Sequence, residues 1–183
     1  MEYPITLQEA SLKDYPTVQN LGRFYAYDIS RYCGRAYPNW EFPENGLYEC
    51  LDFKKYFETS ANHVFFIKIA DEIAGFAIVD QLEKFPDRDW NMGQFFVVAK
   101  YQGCHVGQTA ANLVFQKFPG KWSVGVIPEN TEALGFWRKT INKFTGGKFE
   151  ERRMSSEELK TKERPDPYPN IFFLFECKTL TRR

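Results

Sequence analysis

The sequence predicts an α/β fold of the α+β type: a mixed, mostly antiparallel central sheet with helices on both faces. Short apolar stretches of strand length alternate along the chain with amphipathic stretches of helical period. Gln94 to Ala99 is almost wholly apolar, as expected for a strand that is covered on both faces. No repeat, linker or shift in composition divides the 183 residues, so we expect a single domain over residues 1–183.

The first half of the chain predicts one strand, two helices and a pair of strands. Ile5 to Ala10 has the length of a short strand, and apolar residues recur at helical spacing from Leu12 to Tyr32. A loop rich in proline and aromatic residues leads to a second, shorter predicted helix at Leu47 to Glu58. His63 to Ala70 and Ile73 to Gln81 predict two strands joined by a tight turn.

The second half alternates strands and helices. The apolar strand Gln94 to Ala99 is followed by a helix whose apolar face begins at Val106. Trp122 to Ile127 predicts a strand, and Asn130 is a typical N-cap for the helix after it. A polar stretch with several prolines predicts a long loop before the last strand, Ile171 to Glu176. The predicted order includes one further strand before the last one, which the residue pattern does not locate.

Composition limits the classes of function. Lysine and arginine total 24, as do aspartate and glutamate, so the formal net charge is +0. This balance argues against nonspecific nucleic-acid binding, and no apolar run reaches the length of a membrane span. The N-terminus lacks a signal-peptide pattern, which predicts a cytoplasmic protein. Only two histidines are present, so we expect no metal site. The scattered cysteines predict free thiols in a reducing compartment: Cys33, Cys50, Cys104 and Cys177.

The most informative segment is the junction between the apolar strand and the following helix, Phe95 to Gly107. A helix leaves its first N–H groups without intrahelical partners, and its dipole adds partial positive charge there. Gly103 and Gly107 would let a ligand approach the main chain closely, so the junction suits a phosphate or another anion. Its spacing matches neither a P-loop nor a dinucleotide fingerprint. The alternative interpretation is an ordinary strand-to-helix turn.

Two segments resemble motifs of the GNAT N-acetyltransferase superfamily. The run from Val97 to Ala110 is similar to motif A, whose core is [Arg/Gln]-x-x-Gly-x-[Gly/Ala]. The run from Val126 to Trp137 is similar to motif B, usually Asn-x-x-Ala-x-x-Phe-Tyr. The predicted element order agrees with that family's fold. The resemblance implies a GNAT-like enzyme that moves an acetyl group from acetyl-CoA directly to a primary amine.

The resemblance also implies which residues bind the donor. Gln102 stands at the Arg/Gln of motif A and Gly107 at its last Gly/Ala, so the backbone from Gln102 to Gln108 would bind the pyrophosphate. The strand backbone would pair with the pantetheine arm, and the N–H near Val97 would polarise the thioester carbonyl. Asn130 matches the asparagine of motif B, although it is also a plain N-cap candidate. The implied donor-binding residues are Phe96, Val97, Val98, Gln102, Gly103, Cys104, His105, Val106, Gly107, Gln108, Asn130 and Phe136.

The chain departs from the family pattern at two motif positions. His105 replaces the first glycine of motif A, where it either contacts a phosphate or faces solvent without a role. Trp137 replaces the tyrosine that protonates the departing thiolate, and an indole N–H is not an acid near neutral pH. Where relatives carry a glutamate base, the nearby polar residues are the amides Asn91 and Gln94. The sequence therefore identifies no catalytic acid or base.

The acceptor side is predicted from position in the fold alone. Five residues lie in the region where this family binds its acceptor: Tyr25, Tyr27, Arg31, Trp40 and Phe42. The aromatic residues would suit an apolar or stacked acceptor, whereas Arg31 would suit an acidic one. The alternative is core packing for Tyr25 and plain surface for the others. The acceptor is expected to be a small-molecule or peptide amine, and a homodimer is left open.

Three hypotheses follow from the sequence. The first is an N-acetyltransferase that uses acetyl-CoA and no metal. The second is a non-catalytic acyl-CoA sensor or scaffold of the same fold, which the departures at the acid and base positions keep open. The third is an unrelated α/β nucleotide-binding domain.

Overall fold

The fold is taken from a computed structural model, which describes residues 4–38, 40–162 and 167–178. The chain forms two compact units. The first comprises the described residues up to Val79 together with Gln94–Ala110, and the second comprises Asp80–Gly93 together with the described residues from Ala111 onward. No helix within these described ranges is both long and apolar enough to cross a membrane. That the whole chain is one domain stays a prediction.

A mostly antiparallel sheet with helices is present, as predicted. The strands in the described chain are β1 (Ile5–Glu9), β2 (His63–Ile69), β3 (Glu72–Asp80), β4 (Trp90–Val97), β5 (Gly120–Val126), β6 (Phe149–Met154) and β7 (Asn170–Cys177). The helices are α1 (Tyr15–Cys33), α2 (Val106–Lys117), α3 (Thr131–Thr145) and the short α4 (Ser156–Leu159). The strand order is β1-β2-β3-β4-β5-β7-β6.

The first unit places helices against both faces of its antiparallel strands. β1 pairs with β2 from Ile5↔Ile69 onward, and β2 pairs with β3. One apolar cluster joins α1 to the strands through Val18, Phe76 and other buried side chains. A second cluster joins the start of α2 to the strands through Val106 and Ala110. The beginning of α2 is thereby fixed on the sheet by buried contacts, which stabilise its position.

The second unit is built around aromatic packing. β5 pairs with β7 and β7 with β6, both antiparallel, while β4 pairs with β5 in parallel at Trp90↔Trp122 and Asn91↔Ser123. Phe115 lies in the middle of the core, with its ring centroid 5.0 Å from those of both Trp122 and Phe175. These edge-on ring contacts are the geometry that aromatic pairs prefer.

Three sequence predictions are corrected by the structure. The second helix, predicted at Leu47 to Glu58, is wrong: only a 3-10 turn at Phe53–Phe57 forms, because Gln19 of α1 hydrogen-bonds the backbone of Leu51 and Phe53 and fixes that segment in a non-helical course. β4 begins at Trp90, four residues before the predicted start. The strand that the pattern could not locate is β6, an exposed and highly charged strand at the end of the strand order.

Candidate functional site

The junction singled out in the sequence is a strand, a 3-10 turn and a helix start in direct succession. β4 ends at Val97, and the N–H of Val98 donates to the carbonyl of Ala74 on β3 at 2.9 Å. A 3-10 turn follows at Ala99–Tyr101, where the N–H of Tyr101 donates to the carbonyl of Val98 at 2.9 Å. We call Gln102 to Gln108 the β4–α2 turn. Both of its ends are held by backbone hydrogen bonds or buried side chains, so its course is well defined.

Left-handed backbone angles give the β4–α2 turn its shape. Gly103 has φ of 77°, and a side chain added there would meet nothing within 4 Å. His105 has φ of 60°, which costs a residue with a side chain about 1–2 kcal/mol, although histidine tolerates it better than most. The first bond into α2 runs from the N–H of Thr109 to the carbonyl of His105 at 3.0 Å. The N–H groups of Val106, Gly107 and Gln108 precede it and have no partner within the helix.

Gln102 connects the turn to two other elements of the first unit. Its side-chain amide donates to the carbonyl of Val97 at 2.9 Å, which closes the turn onto the end of β4. The same amide nitrogen lies 3.4 Å from the carboxylate of Asp28 on α1. The side chain at the Arg/Gln position of motif A therefore positions the backbone of the turn.

Lys100, which is close to the turn in the sequence, is paired with a carboxylate. The ammonium of Lys100 lies 2.8 Å from both carboxylate oxygens of Glu72, and the hydroxyl of Tyr101 donates to the same carboxylate at 2.6 Å. The hydrogen bond from Lys100 holds the pKa of Glu72 below its usual value. The side chains of Cys104 and His105 are exposed. An anion at the turn would therefore be bound mainly by main-chain N–H groups.

The strand residues before the turn differ in accessibility. Phe96 is 6% exposed, and its ring packs against Tyr25 and Phe76 at centroid distances of 5.8 and 5.9 Å. Its carbonyl oxygen occupies the space that a Cβ on Gly75 would need, so β3 requires a glycine there. Val97 and Val98 are partly exposed. Phe96 can therefore contribute only its backbone to a site on this strand.

The predicted acceptor residues belong to the first unit but have different environments. Tyr25 is partly buried against the core, and burial raises its pKa. Tyr27 is 59% exposed, with its ring centroid 5.8 Å from that of Tyr48. Arg31 is paired with Asp28 at 3.2 Å, and Trp40 is partly buried in the loop after α1. Tyr25 therefore packs in the core, whereas the ring of Tyr27 is exposed to solvent.

Two donor-binding residues of the prediction lie in the second unit. Asn130 is the N-cap of α3, and its side-chain oxygen accepts the N–H of Ala133 at 3.0 Å. Phe136 is partly buried, with its ring centroid 4.9 Å from that of Trp137. Trp137 is 6% exposed and also contacts the ring of Phe115. Trp137 is therefore a packing residue, consistent with an indole that supplies no acid.

The second unit also contains a buried polar chain that the sequence analysis did not recognise. The hydroxyl of Ser123 donates to the side-chain oxygen of Asn91 at 2.9 Å, and the amide nitrogen of Asn91 donates to the carboxylate of Asp80 at 2.7 Å. Ser123 is fully buried and Asn91 is 7% exposed. The carboxylate of Asp80 also covers Gly93, where it fills the space that a Cβ would need. Asn91 was noted as a polar residue on this strand, but only pairing between strands reveals its partners.

No metal site is evident in the described ranges. Among residues 4–38, 40–162 and 167–178, no group of three or more His, Cys, Asp or Glu side chains could hold an ion.

Residues 26–141 match the acetyltransferase (GNAT) family, so the chain belongs to this family and is an acetyltransferase. The unrelated nucleotide-binding domain is thereby excluded.

Solved structures support the fold. An acetyltransferase from Thermus thermophilus is 13% identical with a TM-score of 0.62, and the match covers 96% of this chain and 99% of that one. A chimera of spermidine N-acetyltransferase SpeG from Vibrio cholerae and hSSAT is 14% identical with a TM-score of 0.59, and the match covers 94% and 95%. YjaB from Escherichia coli is 14% identical with a TM-score of 0.56, and the match covers 94% and 97%. No curated protein matches the sequence.

Proposed function

We propose that this acetyltransferase moves an acetyl group from acetyl-CoA to a primary amine by direct transfer. The observation that carries the proposal is the β4–α2 turn, with left-handed backbone at Gly103 and His105 followed by the first N–H groups of α2. Several successive main-chain N–H groups at a helix start can bind the oxygens of a pyrophosphate without a cationic side chain. Lys100 is paired with Glu72, so we expect the main chain rather than this side chain to bind the phosphates.

The proposed donor site uses the turn for phosphates and the strand for the pantetheine arm. The open space at Gly103 and the half-buried Gly107 leave the backbone accessible to the pyrophosphate. Val98 uses its N–H and its carbonyl within the fold, and the carbonyl of Val97 accepts from Gln102, so we assign the pairing with the pantetheine arm to the backbone of Phe96 and the N–H of Val97. In the second unit, Asn130 and Phe136 remain proposed donor contacts. The oxygen of Asn130 is committed to capping α3, so a contact would use its amide nitrogen.

The residues of the chain supply orientation rather than strong acid or base groups. Acetyl-CoA supplies an activated thioester. The acceptor first loses one proton from its ammonium form to solvent. The neutral amine nitrogen then adds to the acetyl carbon, and the carbonyl oxygen becomes an oxyanion. The carbon–sulfur bond breaks as the carbonyl forms again, and the second proton lost by the nitrogen leaves with the coenzyme as its thiol. The N–H near Val97 would stabilise the oxyanion. A thiol with a pKa of about 8.5 leaves with little help, so Trp137 need not act as an acid.

The structural neighbours favour an amine acceptor. Several are spermidine N-acetyltransferases, and one of these from Vibrio cholerae is dodecameric. We infer a small-molecule or peptide amine as the acceptor class and a homo-oligomer as the assembly. The cysteines of the described chain are all free, and Cys104 is exposed. Free thiols are typical of a reducing compartment, which supports a cytoplasmic location. We also propose that residues 1–183 form one acetyltransferase domain.

Calorimetry and an amine panel test this proposal together. We expect titration with acetyl-CoA to show saturable binding, and release of coenzyme thiol with at least one primary amine. No binding of acetyl-CoA would contradict the donor assignment. Binding without turnover on any amine of the panel would contradict the proposed acceptor class.

A further inference from the structure

The first unit exposes a group of apolar side chains that no core contact explains. They lie on the outer side of α1 and in the loop that follows it. Their exposed fractions range from 46% to 66%. Tyr48 joins them: its ring centroid is 5.5 Å from that of Phe42 and 5.8 Å from that of Tyr27, both edge-on. We call this group the aromatic surface; it consists of Phe24, Tyr27, Phe42, Leu47, Tyr48 and Leu51.

Hydrogen bonds from α1 hold the backbone of the loop that carries part of the aromatic surface. The guanidinium of Arg23 donates to the carbonyl of Tyr48 at 2.9 Å. The side chain of Gln19 donates to the carbonyl of Leu51 at 3.2 Å and accepts the N–H of Phe53 at 2.9 Å. These long-range bonds fix the loop along α1. The backbone is therefore held in a course that leaves the rings facing outward.

The charge around these rings is negative. Residues 40–52 contain four acidic residues and neither lysine nor arginine. Glu41, Glu44 and Glu49 are exposed, and none forms an ion pair with any residue that the structure describes. Of the cations of α1, Arg31 pairs with Asp28, and Arg23 keeps one positive charge where it binds the carbonyl of Tyr48, against the four carboxylates of the loop. Exposed rings beside unpaired carboxylates are a surface that suits an organic cation.

We propose that the aromatic surface binds the cationic remainder of the acceptor, and that the acceptor is an aliphatic amine with at least one further ammonium group. This inference rests on the proposed function and names its substrate class. The faces of Tyr27, Phe42 and Tyr48 attract an ammonium and pack against its methylene chain, and the loop carboxylates add long-range attraction. A second copy of this chain is a weaker fit, because a two-fold interface would bring the acidic loops of both copies together.

The aromatic surface is also connected to the β4–α2 turn. Tyr27 precedes Asp28 on α1, and the carboxylate of Asp28 lies 3.4 Å from the side-chain amide of Gln102. The aromatic surface and the β4–α2 turn are therefore both joined to the same turn of α1 within the first unit.

Paired amines of similar length test the proposal. Steady-state acetylation is measured with diaminobutane and with butylamine, at saturating acetyl-CoA. We expect the wild type to have a KM for diaminobutane that is at least about tenfold lower than its KM for butylamine. In Tyr27→Leu and in the double variant Glu44→Gln/Glu49→Gln, the KM for diaminobutane should rise about tenfold, and by a larger factor than the KM for butylamine rises in the same variant. Leu12→Ala, an exposed apolar residue outside the surface, is the matched control.

Equal effects on both amines, or no effect on either, would overturn the proposal. So would a wild-type dimer in sedimentation that Tyr27→Leu converts to monomer, because the surface would then be an interface between copies. If acetyl-CoA binds but no amine is acetylated, the proposed function fails, and calorimetry with diaminobutane alone still decides the surface. Binding that is lost in Tyr27→Leu would support the cation site, and absence of binding to the wild type would overturn it.

Discussion

The two compact units differ in what they expose and what they bury. In the described chain, the large apolar side chains that are exposed all belong to the first unit, from Leu12 to Leu51. The two non-glycine residues with left-handed backbone, Ala70 and His105, are also in the first unit. The buried polar residues found in the structure, Asn91, Ser123 and Thr140, all belong to the second.

We infer from this contrast that the first unit carries most of the proposed binding residues and the second unit more of the stabilising polar contacts. Exposed rings and left-handed backbone can mark binding sites, because a ligand offsets what they cost in stability. Buried hydrogen-bonded side chains next to packed aromatic rings fix one arrangement of strands. We therefore expect substitutions in the β4–α2 turn to change ligand binding without unfolding the protein. Substitutions in the Asp80–Asn91–Ser123 chain should lower the melting temperature first.

The largest expected effect is that of Gly107→Glu. It places bulk and negative charge beside the proposed pyrophosphate, so affinity for acetyl-CoA should fall at least about a hundredfold, or about 3 kcal/mol. A carboxylate in the first turn of α2 favours the helix, so the melting temperature should stay within a few degrees of the wild type. Calorimetry and thermal melting measure the two effects. Gly135→Glu on α3, where a side chain meets nothing within 4 Å, is the control and should bind normally.

Unchanged affinity in folded Gly107→Glu protein would mean that the pyrophosphate binds elsewhere. The assignment of donor binding to the first unit would then be wrong.

Gly75→Ala tests whether the close contact between Gly75 of β3 and the backbone of β4 is required for stability. The new methyl group would meet the carbonyl of Phe96, so the backbone must shift, at a cost of about 1–3 kcal/mol in the free energy of unfolding. Because Phe96 and Val97 belong to the proposed donor site, affinity for acetyl-CoA should fall as well. Denaturant unfolding and calorimetry measure both. Gly135→Ala, in an open helical position, should instead stabilise by up to about 1 kcal/mol. A neutral Gly75→Ala would show that the strand adapts freely.

The sequence predicted regular elements and local signals well. The strand-to-helix junction and the Asn130 N-cap depend on neighbouring residues, and both are found where expected. The helix predicted at Leu47 to Glu58 is wrong because bonds from Gln19 and Arg23, more than twenty residues away, determine the loop. β6 was not located because an exposed edge strand with four charged residues lacks the apolar pattern of a strand.

The residues of the candidate site likewise fall into those with a local sequence signal and those that depend on contacts between distant segments. The proposed recognition of the donor by backbone N–H groups depends on a local pattern of glycines and a helix start, which the sequence displays. The aromatic surface and the Asp80–Asn91–Ser123 chain depend on contacts between distant segments, such as Tyr27 with Tyr48. Such contacts leave no spacing in the sequence, so only the fold reveals them.

Asn91→Leu tests the polar chain of the second unit. Leucine is close in size but removes the donor to Asp80 and the acceptor of Ser123, so the free energy of unfolding should fall by about 1–3 kcal/mol. In a chain of this length each kcal/mol lowers the melting temperature by about 2–4 °C. Calorimetric melting measures the change, with the exposed Asn142→Leu on α3 as the control. If both variants melt like the wild type, the buried polar chain does not stabilise the second unit.

The smallest effect is expected at Arg138 and Glu151, a two-bond ion pair at 2.6 and 2.9 Å on the surface of the second unit. The hydrogen bond from Arg138 lowers the pKa of Glu151 in the folded protein. A lowered folded pKa contributes stability that is present above the unfolded pKa of about 4.3 and is lost as pH falls through the folded value. Glu151→Gln should therefore cost less than about 1 kcal/mol at neutral pH, because exposed pairs are screened by solvent, and almost nothing below the folded pKa. Melting temperatures of both proteins between about pH 7 and pH 3 measure this convergence. A difference in melting temperature that stays constant with pH would show that Glu151 stabilises the protein through packing rather than charge. Glu151 would then act like the buried residues of the second unit.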